Sequence, residues 1–196
     1  MRSHSLIQKL NEFCALPDEI IPQIVDAFKV IELPKEKTVL REGFTNRNVY
    51  FLKTGIVRRY HISQVGHQKT TGFITDNTFF TDLDSFERRK GSSTTFNTES
   101  TCTIYSIDYF KLHGLMDAIP TVREAFIKMK DYYSNIAIET KHFLETAPVE
   151  SRVKKLVEEL PSVIESCRKR DIISFLRTNS QTYNFILKSL LPPGKK

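Results

Sequence analysis

From Pro120 to Glu145 the chain contains no glycine and no second proline, although both residues punctuate the segments on either side. A run of this kind forms one long helix. Proline is well suited to its first turn, and at 1.5 Å per residue it would span roughly 39 Å. In a chain of 196 residues the body is too small to cover such a helix along its whole length. Its apolar positions say what covers the rest: Val122, Phe126, Met129, Tyr133, Ile136 and Phe143 recur at alternating spacings of four and three, with Thr140 as the single polar member. That is a heptad seam, and it reads as the contact of a homodimer; a helix packed on its own body would give a similar stripe.

Upstream, from about Phe28 to Ile107, the period is two. Short β-branched and aromatic runs alternate with turn signals every eight to twelve residues, as in a β-barrel or β-sandwich. Val49–Lys53 and Ile56–Ile62, joined by Thr54-Gly55, read as a hairpin with glycine at the position of positive φ. Val65-Gly66, Asp76-Asn77 and Lys90-Gly91 mark further turns, and Asp108 is placed to cap a short helix running to Leu112. A 40% apolar composition with 14 Phe supplies the core.

Downstream, Ala147-Pro148 ends the long helix and opens a basic segment. From Ser151 to Lys196 ten Lys and Arg face four Asp and Glu, which accounts for the entire formal charge of +6, whereas residues 1–150 balance. A basic quarter beside a neutral body is the footprint of a polyanion-binding module, with nucleic acid as the leading partner; a solvated basic surface with no specific partner is the other reading. The segment reads as three short helices. The first runs from Glu150 to Leu160 and stops at Pro161. The second is Asp171–Leu176, and the third begins at Ser180 and ends before Pro192-Pro193-Gly194. Ser180 or Asn179 can cap the last. Two short helices joined by Arg177-Thr178-Asn179 fit a helix-turn-helix.

Other function classes find little material. Cys14, Cys102 and Cys167 are odd in number and far apart, so they read as buried thiols and not as a disulfide framework. No Cys has a second Cys or His at metal-motif spacing, and His4, His61, His67, His113 and His142 are scattered, so no metal site or haem ligation is expected. Asp82, Asp84 and Glu87 are close in sequence, but with no glycine-rich phosphate loop or nucleophile elbow they read as solvated or capping carboxylates. No enzyme is expected. The opening residues lack the apolar core of a secretory signal, and no apolar run approaches 18 residues, so the chain reads as a cytoplasmic protein with no membrane partner.

In that order the segments resemble the Crp/Fnr family of bacterial transcription regulators. The resemblance rests on Val49–Arg58, on Phe79-Phe80-Thr81-Asp82-Leu83-Asp84-Ser85-Phe86 at the place of the family's phosphate-binding cassette, and on Ser174–Leu176 with Ser180–Thr182 at its helix-turn-helix. The short length and the Asp-Ser-Phe cassette are most similar to the Bacteroidetes-type branch. The resemblance implies an α+β fold. Residues 1–117 would form a double-stranded, cyclic nucleotide-binding-like β-roll with an N-terminal helix, 118–147 the dimerisation helix, and 148–196 a small all-α helix-turn-helix domain that binds DNA. It also implies RNA polymerase as a further partner.

It further implies a ligand site at Thr81, Asp82, Leu83, Ser92, Ser93 and Thr94, where this chain departs from the family. Asp82 replaces Glu and follows Thr81 in place of Gly, and Ser92 replaces the Arg that pairs with the cyclic phosphate. A hydroxyl offers one neutral hydrogen bond where Arg offers a bidentate, charge-assisted pair. Cyclic AMP binding in the usual way is therefore not expected, and the roll takes an unidentified small-molecule effector or none, with no resident cofactor. Arg88 and Arg89 read as solvated charges. In the turn and the last helix the implied DNA contacts are Arg177, Ser180, Gln181, Thr182, Phe185 and Lys188, with Tyr183, Ile186, Leu187, Leu190 and Leu191 packing inward. Phe185 stands where the family presents Arg, and Arg177 stands where it keeps a turn glycine. A regulator-like protein that has lost specific DNA reading and works through protein or ligand contacts is the alternative.

Overall fold

The computed structural model describes residues 4–190. Helix α1 (His4–Asn11), a 3-10 turn (Asp18–Ile20) and α2 (Ile21–Ala27) lead into eight strands: β1 (Lys29–Leu33), β2 (Thr38–Leu40), β3 (Asn48–Thr54), β4 (Val57–Ile62), β5 (Gln68–Ile74), β6 (Thr78–Phe80), β7 (Thr95–Thr98) and β8 (Cys102–Asp108). Helix α3 (Leu83–Arg88) lies between β6 and β7. The strands form two antiparallel four-stranded sheets, β1-β8-β3-β6 and β2-β7-β4-β5, stacked as a β-roll.

Strand alternation sorts the core. In β3, Tyr50 and Leu52 point between the sheets to meet Val57, Phe80, Phe96 and Ile104. Their neighbours Val49 and Phe51 point the other way, onto Leu6 and Ile7 of α1 and onto the two helices that follow the roll. With both faces covered, the middle of the strand is apolar without interruption.

The expected hairpin is not formed. β3 and β4 lie in different sheets, so Thr54-Gly55 carries the chain from one sheet to the other. Gly55 takes φ +113°, and a Cβ there would come within 2.6 Å of the Thr101 carbonyl oxygen and of Cys102 Sγ. A glycine turn between two alternating runs is the same signal for either arrangement. The hairpin in this stretch is β4–β5, closed by the Ser63 N–H donating to the His67 carbonyl at 2.8 Å, with Gly66 at φ +82°.

Helix α4 (Tyr109–Ala118) starts where Asp108 accepts a bond from the Lys111 N–H at 3.0 Å, and it runs well past Leu112. Helix α5 (Pro120–Thr146) is the single long helix. The C-terminal part holds four helices where three are expected: α6 (Val149–Glu159), α7 (Pro161–Ser166), α8 (Lys169–Leu176) and α9 (Ser180–Leu190). Pro161 ends one helix and opens the next, because Leu160 is held out of the helical region and proline suits the first turn. Val153, Leu156, Val163, Ile172, Leu176, Tyr183 and Ile186 form the core of this part, to which the roll contributes Ile56. Of the three thiols only Cys102 is buried; Cys14, in the loop after α1, and Cys167, just after α7, are half-buried. Leu191 and Pro192-Pro193-Gly194 lie outside the described residues.

Candidate functional site

The cassette is closed upon itself. Asp82 caps α3, one carboxylate oxygen accepting from the Ser85 N–H at 3.2 Å. Its other oxygen accepts from the Ser92 hydroxyl at 2.6 Å and the Ser93 N–H at 3.3 Å. Thr81 donates to the Asn48 carbonyl at 3.0 Å and accepts from the Asn46 amide at 2.6 Å, and Thr94 donates to the Tyr60 carbonyl at 3.0 Å. The two positions that would hold a ribose and a phosphate thus bind each other, with Ser92 only 4% exposed. Leu83 is half-buried at the start of α3. Arg88 pairs with Asp84 at 3.1 Å and Arg89 lies 4.9 Å over the Tyr109 ring; both are exposed.

Beside the cassette a cavity of about 790 Å³ opens between β4–β5 of the roll, the long helix and α6. Phe126, Met129, Tyr133, Ile136, Thr140 and Phe143 line it. The first half of the heptad stripe faces the chain's own roll, with Val122 and Met129 buried in its core and Phe126 and Tyr133 packed against it, whereas Ile136 further along is 39% exposed. The side of the helix left bare carries Ile127 and Ile138, 47% and 66% exposed. Their spacing of eleven residues is three helical turns, which puts them on one line.

Strand β4 supplies two arginines to opposite sides of its sheet. Arg58, 4% exposed, meets Glu99 at 2.7 Å, Asp171 at 3.3 Å, the Gln68 side-chain oxygen at 2.8 Å and the Thr70 hydroxyl at 3.3 Å, and lies 4.2 Å over the Tyr60 ring. Asp171 belongs to α8. The same helix accepts from the Thr70 N–H through the Ser174 hydroxyl at 3.1 Å and stacks Phe175 edge-on against Phe73 at 5.5 Å. One face of α8 is thereby docked on β5 through a buried ionic cluster. Arg59 points the other way, into the cavity. Neither arginine is among the residues singled out in the sequence, although period two places Arg59 on the same inward face as Val57.

In the α8–α9 turn, Arg177 adopts the left-handed conformation, φ 52° and ψ 52°, that a glycine would take with less strain, and pairs with Glu145 at 3.3 Å. Asn179, not Ser180, caps α9: its side chain accepts from the Thr182 N–H at 2.9 Å. Tyr183 and Ile186 are buried, while Ser180, Gln181, Phe185 and Lys188 face outward, Phe185 at 77% exposure. Thr182 is half-buried. Much of the basic excess is paired locally, Lys155 with Glu159 at 2.9 Å and Arg168 with Glu36 of the roll.

Residues 30–118 match the cyclic nucleotide-binding domain family. The chain is similar to the solved structure of FixK2 from Bradyrhizobium japonicum, with 16% identity, a TM-score of 0.71, and coverage of 83% of this chain and 84% of that one. It is similar to the c-di-GMP responsive global regulator CLP of Xanthomonas campestris, with 14% identity, a TM-score of 0.67, and coverage of 89% and 91%. It is also similar to a protein of Eubacterium rectale assigned to the Crp/Fnr family of transcriptional regulators, with 16% identity, a TM-score of 0.64, and coverage of 89% and 83%. No curated protein matches the sequence closely enough to count as a relative. Among the described residues, no helix is long and apolar enough to cross a membrane. The match to the cyclic nucleotide-binding domain family thus falls on the β-roll, within a fold shared with solved Crp/Fnr-type structures.

Proposed function

We propose that this chain is a cytoplasmic, homodimeric transcription regulator of Crp/Fnr type, in the Bacteroidetes-type branch, whose α8–α9 pair is a helix-turn-helix that binds duplex DNA and whose roll is an effector domain. The roll would occupy residues 1–117, the dimer helix 118–147 and the DNA-binding part 148–196. RNA polymerase is the partner such a regulator would contact. The observation that carries the reading is the outward face of α9: Gln181 and Lys188 stand clear of the core, with Tyr183 and Ile186 turned inward, on a turn that closes although it lacks glycine. Gln181 can read adenine through its amide, and Lys188 and Ser180 can reach phosphates. Ile127 and Ile138 offer the dimer contact on the side of α5 that the roll leaves open.

Fluorescence anisotropy with labelled duplex DNA across a salt series tests this. Affinity should fall steeply with salt, and Lys188→Ala should flatten the slope by about one counterion. Exposed Phe185 favours a second reading, in which α9 meets a protein and specific DNA reading is lost. Absence of DNA binding at low salt would select it.

A further inference from the structure

We propose, resting on the reading of the roll as an effector domain, that the cavity binds an organic monoanion with an apolar body, its carboxylate or sulfonate held by Arg59. The guanidinium is fixed in place but left short of an anion. Nε donates to the Thr71 hydroxyl at 3.2 Å and Nη2 to the Thr71 carbonyl at 3.4 Å, whereas Nη1 has no acceptor among the described residues. Gly72 lies alongside the guanidinium, where a Cβ would sit in van der Waals contact, 3.4 Å from Nη2. No carboxylate among the described residues forms an ion pair with Arg59. Burial lowers its pKa from the usual arginine value, and Asp82 opposes that only through space, its oxygens being engaged by Ser85, Ser92 and Ser93.

The other Lys and Arg side chains that line the cavity have partners, although the buried Nε of Arg152 makes no hydrogen bond. Lys9 pairs with Glu12, Lys130 with Glu87 and Lys155 with Glu159, and Arg152 donates to the carbonyls of Leu144, Leu176 and Arg177. The walls are mostly apolar, built from Phe73, Phe79, Phe126, Tyr133 and Phe143, and a volume near 790 Å³ suits a molecule of drug size. A cation with open donors in an apolar chamber selects a ligand with one charged end and a greasy remainder. A cyclic nucleotide would need the cassette, which is closed on itself.

Two fluorescent probes of nearly the same aromatic body test this on the full-length protein: 8-anilinonaphthalene-1-sulfonate, which carries the anion, and N-phenyl-1-naphthylamine, which lacks it. Arg59→Gln should weaken the sulfonate by about ten- to a hundred-fold, the loss of charge-assisted hydrogen bonds. The neutral amine should bind within about two-fold of wild type, which also shows that the cavity is intact. Arg59→Lys should fall between. Ala137→Trp, which fills the cavity, should abolish both probes. Equal sulfonate binding by wild type and Arg59→Gln, or both probes surviving Ala137→Trp, would overturn the proposal. So would displacement of the sulfonate by micromolar cyclic AMP or cyclic GMP. These outcomes are independent of the DNA titration: failure there removes the regulator and leaves the anion site standing, and failure here does the reverse.

Discussion

Replacing Arg58 with alanine should loosen the C-terminal helices from the roll. The substitution removes the buried cation that bridges Glu99 and Asp171, each 4% exposed, and in a place water does not reach it leaves Glu99 unpaired and Asp171 with the longer, 3.7 Å contact to exposed Arg170. Breaking a buried ion pair from one side costs about 3–5 kcal/mol, because the surviving charge is desolvated without compensation. For a chain of this length that amounts to a fall in Tm of about 6–20 °C. Calorimetric melting of the full-length variant measures it, and amide exchange should accelerate over α8 and at Thr70, whose N–H donates to Ser174 across the contact. The reasoning assigns the loss to orphaned charge and not to lost packing. A triple variant, Arg58→Met with Glu99→Leu and Asp171→Leu, should therefore recover most of the stability. If Arg58→Ala melts within about 2 °C of wild type, or if the triple variant is as unstable as the single one, the argument is wrong.

Gly55→Ala should cost about 2 kcal/mol or more, read as a lower urea midpoint, because the new Cβ meets the Thr101 carbonyl oxygen at 2.6 Å in a left-handed backbone. Arg177→Gly should be neutral or stabilising by about 1 kcal/mol, since glycine accepts φ 52° and the Glu145 pair that is lost is exposed. The Cys167 thiol is pushed up to about 12, chiefly by burial and then by the nearby Glu99. Iodoacetamide alkylation of native protein, followed by peptide mass spectrometry, should therefore be slow at pH 8 and keep rising with pH beyond 9, where an ordinary thiol levels off. The same shift makes folding lose stability above pH 9, because the unfolded thiol ionises there and the folded one does not until pH nears 12.

Local chemistry was readable where one residue decides the outcome. Asp108 and Asn179 cap their helices, Pro120 opens the long one, and the wheel of α9 separates Tyr183 and Ile186 from Gln181, Phe185 and Lys188 as their spacing requires. What escaped depends on partners distant in the chain. Gly55 serves a hairpin and a sheet-to-sheet crossing equally well, and the choice is made by β8 and β7, which insert beside β3 and β4. The stripe on α5 has one spacing whether it meets a second copy or its own roll, and the roll claims Val122, Phe126, Met129 and Tyr133. The cassette departures at Asp82 and Ser92 were visible, but that the two residues bond each other was not. Arg58 and Asp171 lie more than a hundred residues apart, and nothing in either neighbourhood announces the other.

Arg58 and Arg59 are consecutive, yet one grips the C-terminal helices and the other opens into the chamber behind the sheet. Whatever settles in that chamber is one peptide unit, about 3.8 Å of backbone, from the clasp on α8. News of occupancy need not cross the molecule, because the strand that feels the guest is the strand that holds the tail.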